Sequence, residues 1–194
     1  MTKKRILSID GGGIKGIVPA VVLFHLEKHL KRLSNNPNSR IHDYFDLFAG
    51  ASTGAIIIAG LLTPDSHNQP KYTTKEIIDL YIENGHIIFN ASLFQEIKSV
   101  SGLVNVKYDP EGLESVFNKY FGNNQLKDLL KPTLIPVYDL SRGKNYFFRQ
   151  QKAQTSLRHN YYVRDLLRSA TSAITYFPPS QISTVDNKEH RCFI

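Results

Sequence analysis

Two glycine-rich turns, each set between a short apolar run and a helical pattern, constrain this chain more than any other feature. The run Arg5 to Ile9 ends at Asp10-Gly11-Gly12-Gly13-Ile14-Lys15-Gly16, and Tyr44 to Ala49 ends at Gly50-Ala51-Ser52-Thr53-Gly54. After the first turn, residues 17 to 33 place Val21, Val22, Phe24, Leu26, Leu30 and Leu33 at helical spacing, with Pro19 tolerable in the first turn. After the second, Ser52 to Leu62 is rich in Ala and Ile, as a buried helix would be. Two strand–turn–helix units within 62 residues predict an α/β sheet with parallel strands.

The rest of the chain reads as one domain. Thr73-Thr74-Lys75-Glu76 is a capping box opening a helix to about Asn84. Asp109-Pro110-Glu111 starts another helix, with Gly122 as its stop. Residues 133–140 and 145–149 read as strands joined at Ser141 to Lys144, and Tyr161 to Ile174 as a helix that Pro178-Pro179 ends. Residues 181–185 and 190–194 read as a hairpin around Asp186-Asn187-Lys188. Gly85 to Lys107 has the weakest pattern and two readings: a core segment with irregular connections, or an apolar flap beside a lipid-binding cleft.

The 194 residues suffice for one sizeable core, and no stretch approaches the ~20 apolar residues that span a bilayer. Ile6-Leu7-Ser8-Ile9 is too short for the apolar core of a signal peptide, so it reads as a first strand. A single cysteine, Cys192, leaves no internal disulfide or multi-Cys zinc site and fits a reducing, cytoplasmic setting. The formal charge of +7 favours anionic partners or a generic solubilising surface, but no nucleic-acid motif accompanies it, and nucleic-acid binding is not expected.

A serine hydroxyl attacks an ester only when a base takes its proton and the resulting oxyanion is stabilised. At a tight strand-to-helix turn flanked by Gly50 and Gly54, Ser52 has the setting of a nucleophile elbow; the alternative is a serine that caps the following helix. Gly11 to Gly16 formally matches a dinucleotide-binding G-x-G-x-x-G. The acidic residue expected about 20 positions later is absent from residues 34–40, and Lys15 is followed by Gly16 rather than Ser or Thr. The other reading makes the amides of Gly11, Gly12 and Gly13 donors to an anion that exists only in a transition state. Both turns then fall at the C-terminal ends of their strands, where open α/β sheets bind ligands.

These residues resemble the patatin-like phospholipases: Asp10 to Gly16, Gly50 to Gly54, then Ser169-Ala170-Thr171-Ser172-Ala173 with Tyr176-Phe177-Pro178-Pro179, in family order. The resemblance implies an α/β-hydrolase-related fold, a mostly parallel sheet flanked by helices. It implies lipid acyl hydrolysis of the phospholipase A or lysophospholipase type by a Ser–Asp dyad, without metal or cofactor. Ser52 would be the nucleophile, Gly11, Gly12 and Gly13 the oxyanion loop, and Lys15 the basic residue beside it that meets the substrate. Lys15 also reads as a solvated turn residue.

The family's dyad Asp sits in an Asp-Gly-Gly or Asp-Gly-Ala motif reached by a strand soon after the Phe-Pro-Pro. Here His190 to Ile194 reads as that strand, and no Asp-Gly follows it; Asp10-Gly11 belongs to the first turn and Asp186 to a hairpin. His67, His86, His159 and His190 follow Ser52, none in a setting that recommends it as base. The expectation is a patatin-like domain cut before its base, C-terminally incomplete and nearly inactive in these 194 residues. Its expected partners are phospholipid or another acyl lipid, a membrane surface touched transiently, and further copies through the last strand. A non-catalytic lipid- or membrane-binding module and a nucleotide-binding domain are the alternatives.

Overall fold

The computed structural model describes residues 3–89, 110–172 and 177–194. Its first strands are β1 (Ile6–Ile9), β2 (Leu47–Gly50), β3 (Thr133–Asp139) and β4 (Lys144–Arg149). β5 (Ser180–Ser183) and β6 (His190–Phe193) complete one six-stranded sheet. β1 pairs parallel with β2 and β2 with β3, whereas β4 and β6 each lie antiparallel to β3, and β5 antiparallel to β6. Four strands, β1, β2, β3 and β5, therefore share one direction, giving the mostly parallel α/β sheet expected from the two glycine turns.

β2 and β6 share the same edge of β3. The Phe48 amide donates to the Pro132 carbonyl at one end, and Tyr138 and Ile194 exchange backbone hydrogen bonds at the other. Backbone groups of alternate residues point to one edge, so Pro136 is turned toward the interval between β2 and β6, where its missing N–H breaks no ladder.

The helices are α1 (Ile17–Leu33), α2 (Thr53–Leu62), α3 (Thr74–Ile88), α4 (Pro110–Phe121), α5 (Gln150–Thr155) and α6 (Val163–Ala170). α2 has no charged residue, is buried throughout, and packs against β1, β2, α3 and α6, so it is the centre of the core. α1 begins straight after the first glycine turn and ends with Lys31 and Arg32 in its last turn, where cations suit the helix dipole.

The Thr73–Glu76 capping box is formed: Thr73 Oγ1 accepts from the Glu76 amide, and a Glu76 carboxylate oxygen accepts from the Thr73 amide at 2.7 Å. That helix runs a turn past Asn84. The Asn84 side chain turns inward to donate to the Leu80 carbonyl and the Tyr120 hydroxyl, and Gly85 leaves room for Ile14. Gly122, at φ +47°, ends α4 as expected.

α5 has no counterpart among the sequence expectations, because its six residues bury only Gln150 and Ala153 and carry no apolar period. α6 is shorter than the expected 161–174. Thr171 and Ser172 return their hydroxyls to the carbonyls of Leu167 and Arg168 at 2.8 Å, and α6 ends at Ala170. The cap expected at Asp109, most of the 85–107 segment, and Ala173 and Tyr176 fall outside the described residues. No helix among the described residues is long and apolar enough to cross a membrane.

Candidate active site

Ser52 stands between β2 and α2 at φ +50°, ψ −120°. This is the left-handed half of conformational space, which a non-glycine residue occupies only at a cost of about 1–3 kcal/mol. The turn is fixed from both sides: the Ala51 amide donates to the Ile9 carbonyl at 3.2 Å, and the Gly54 amide to the Ala51 carbonyl at 2.8 Å. A side chain on Gly54 would collide with the Ile9 carbonyl, and one on Gly50 would stand 2.5 Å from the Gly54 oxygen, so both glycines are needed for the strand and helix to meet so tightly. Ser52 occupies the N-cap position of α2, but its side chain makes no capping bond, nor any other hydrogen bond among the described residues. The capping alternative for Ser52 is thereby removed.

The first turn comes to the same place. A Cβ added to Gly11 would lie 3.1 Å from Ser52 Cβ and 3.3 Å from the Ala51 carbonyl oxygen. Gly13, at φ +57°, begins a 3₁₀ turn to Gly16, and the Lys15 amide donates back to the Gly12 carbonyl at 3.2 Å. The amides of Gly11, Gly12 and Gly13 have no backbone acceptor among the described residues, and neither does Thr53, the residue after Ser52. Unpaired N–H groups beside a half-buried serine are the donors an oxyanion requires. Motif reasoning finds the glycines but not Thr53. The signal for it is its place after the candidate nucleophile, where α/β hydrolases draw a second donor.

Tyr81 of α3 joins the two turns from behind. Its hydroxyl is 2.6 Å from Thr53 Oγ1 and donates to the Thr53 carbonyl at 3.0 Å. It also stands 2.9 Å from where a Cβ on Gly16 would be. Burial holds the Tyr81 phenol protonated, far above its usual range, although the Thr53 bond partly opposes the shift. Its ring stacks on Phe89 at 6.0 Å, and Phe89 in turn borders Gly13.

Lys15 is exposed at the mouth of a groove of about 550 Å³ whose walls include Leu7, Ile9, Gly12, Val18 and Val22. Asp10, also exposed, lines the same groove. The other acids and histidines considered from sequence are engaged elsewhere or stand in solvent. Asp186 accepts from Thr184 Oγ1 at 2.6 Å and from the Lys188 amide, which holds its carboxyl below the usual range. His159 meets the Tyr146 hydroxyl at 3.1 Å and His190 meets Ser183 Oγ at 2.6 Å, while His67 and His86 are exposed. Among the described residues no group of three or more His, Cys, Asp and Glu side chains could hold a metal ion.

A serine at a tight strand-to-helix turn beside a glycine-rich loop, on an α/β sheet, is an arrangement that α/β hydrolases share. A patatin-like phospholipase family model matches residues 7–192, and the chain belongs to that family. Among curated relatives, it is 36% identical over 179 residues to patatin group A-2 of Solanum tuberosum, a match covering 92% of this chain and 44% of the relative. Patatin-17 of Solanum cardiophyllum is 35% identical over the same length and coverage. The chain thus spans less than half the length of these relatives. Among solved structures, VipD from Legionella pneumophila aligns with 99% of this chain and 45% of its own at a TM-score of 0.42 and 10% identity.

Proposed function

We propose that this chain carries the nucleophile and oxyanion half of a lipid acyl hydrolase. In this reading Ser52 Oγ attacks the ester carbonyl carbon while a carboxylate base accepts its proton. The carbonyl oxygen becomes an anion held by the amides of Gly11, Gly12, Gly13 and Thr53. Collapse expels the alcohol, which takes the proton back, and water then releases the acyl group from Ser52. Lys15 meets the anionic part of the substrate. The observation that carries the reading is the approach of Gly11 to Ser52, with Ser52 held at φ +50° and its side chain spared any capping bond.

The base is expected from residues of a longer chain, and the strand directions support that. Phe193 lies opposite Asp139, so a chain continued along β6 would travel down β3 from Tyr138 toward Pro136. Ala49 pairs with Leu134, so β2 gives way to the Ser52 turn at that level of β3. An Asp about two to four residues beyond Ile194 would arrive there. Without it, residual catalysis should come from the oxyanion hole and binding alone, several powers of ten below an intact dyad.

The test is ester hydrolysis, on p-nitrophenyl esters and phospholipid vesicles, by a chain extended past Ile194 with its Asp-Gly motif, beside its Ser52→Ala variant. Hydrolysis that depends on Ser52 and on the added Asp is the expected result. Lipid binding with no Ser52-dependent hydrolysis would favour a non-catalytic module, and a rise in melting temperature with NAD or ATP would favour a nucleotide site.

A further inference from the structure

We propose that the outward face of α1, together with the outer edge of β1, docks the protein on an anionic phospholipid bilayer. This inference rests on the lipid-ester reading of the adjacent site. α1 buries Ala20, Leu23 and Glu27, so its solvent face runs through Val18, Val21, Val22, His25, Lys28, His29 and Arg32. Val18 is 61% exposed and Val22 60%. An isolated apolar residue on a surface needs no explanation, but these two line one groove beside the first glycine turn, where Ile14 is also exposed. Valine is a poor choice for a solvated helix position on local grounds, since its branched side chain lowers helix propensity and no burial compensates.

The charge on this face points to the occupant. Beyond the valines it carries Lys28, Arg32 and two histidines and no acid; α1's Glu27 is buried, where it answers Lys31 and Arg40. Lys15 adds a cation beside the glycine turn, with Asp10 the acid nearest in the groove. From Val18 to Arg32 the face runs about 21 Å at 1.5 Å per residue. An apolar end and a basic end on one exposed helix face match acyl chains and anionic headgroups at an interface. A helix lying there would hold the exposed Gly11 and Gly12 against the lipid.

Co-sedimentation of the 194-residue chain with vesicles tests this, using phosphatidylcholine alone and with roughly one third phosphatidylserine. Binding to the anionic vesicles that weakens with salt is expected. Both Val18→Glu/Val22→Glu and Lys28→Glu/Arg32→Glu should weaken it about ten-fold or more, whereas Leu157→Glu, at an exposed position in the 3₁₀ turn Leu157–His159, should not. The chain has no Trp, so Val22→Trp supplies a single reporter whose emission should shift to the blue on the same vesicles without any disruptive charge.

Absence of binding, indifference to both α1 pairs, or an unchanged emission from the Val22→Trp variant overturns the proposal. So does a dimer in solution that Val18→Glu/Val22→Glu dissociates, which would make a second copy the occupant. Ser52→Ala should bind like the parent chain. A failed hydrolase assay with intact α1-dependent binding therefore removes only the proposed chemistry, and hydrolysis with α1-independent binding removes only this surface.

Discussion

The Tyr81 hydroxyl donates to the Thr53 carbonyl at 3.0 Å and meets Thr53 Oγ1 at 2.6 Å, so α3 grips the residue that follows Ser52. Both side chains are buried. Tyr81→Phe leaves the Thr53 hydroxyl without its partner and should cost about 1–3 kcal/mol. Tyr81→Phe with Thr53→Val removes both groups and should cost less than the two single changes summed. Urea denaturation of the parent, the two single variants and the double variant measures the coupling.

Ser52 holds its positive φ although, among the described residues, its side chain makes no hydrogen bond. Ser52→Gly should raise stability by about 1 kcal/mol relative to Ser52→Ala, because glycine occupies that conformation without strain. Thermal melts of the two variants decide it, and equal stabilities would show that the turn carries no strain.

Gly54 and Gly60 lie in the same helix yet should respond very differently to alanine. A Cβ on Gly54 runs into the Ile9 backbone carbonyl, while one on Gly60 meets only the Ile77 side chain at 3.0 Å. Gly54→Ala should destabilise by about 2 kcal/mol or more, through overpacking against backbone that cannot move. Gly60→Ala should be within about 1 kcal/mol of neutral, since the helix-propensity gain offsets a small shift of Ile77. Denaturation midpoints of the pair test this.

Acid should weaken the fold in two stages. Burial lowers the His42 pKa below its ordinary 6.5, with Asp43 opposing and Lys131 and Arg40 adding to the shift, and burial also lowers that of His159. A depressed base takes its proton first in the unfolded chain, so this stability is present above about pH 6.5 and is lost as the pH falls below that value through the lower folded pKa. Glu189, held low chiefly by its hydrogen bond from Arg191, and Asp46 and Asp65, held low by backbone amides, add a second loss below about pH 4.5. Asp165 acts in the opposite sense, because burial raises its carboxyl. His42→Asn should flatten the upper limb of the stability–pH curve and leave the lower limb unchanged, as read from denaturation at a series of pH values.

Both glycine turns, the extent of α1, the Thr73 capping box and the hairpin from Ser180 to Phe193 were legible in the sequence. Each is signalled by residues close to one another: a glycine where no side chain fits, a cap three residues from its partner, an apolar period along one face. α5 was not legible, because Gln150 is held inside by donating to the carbonyls of Leu129 and Lys127, more than twenty positions earlier. Nor was the end of α6, where hydroxyls fold back onto the chain instead of a glycine or proline stopping it.

At the candidate site the division is the same. Residue type and spacing were enough to nominate Ser52 and the glycines of the first turn, since the chemistry of a hydroxyl and the geometry of a tight turn are local properties. They could not say that Gly11 comes against Ser52 or that Tyr81 secures Thr53. Those relationships arise in the packed molecule, from β1 and β2 lying side by side in register and from α3 packing against α1, α2 and the first glycine turn. They are contacts between segments far apart in the chain, and no local pattern encodes them.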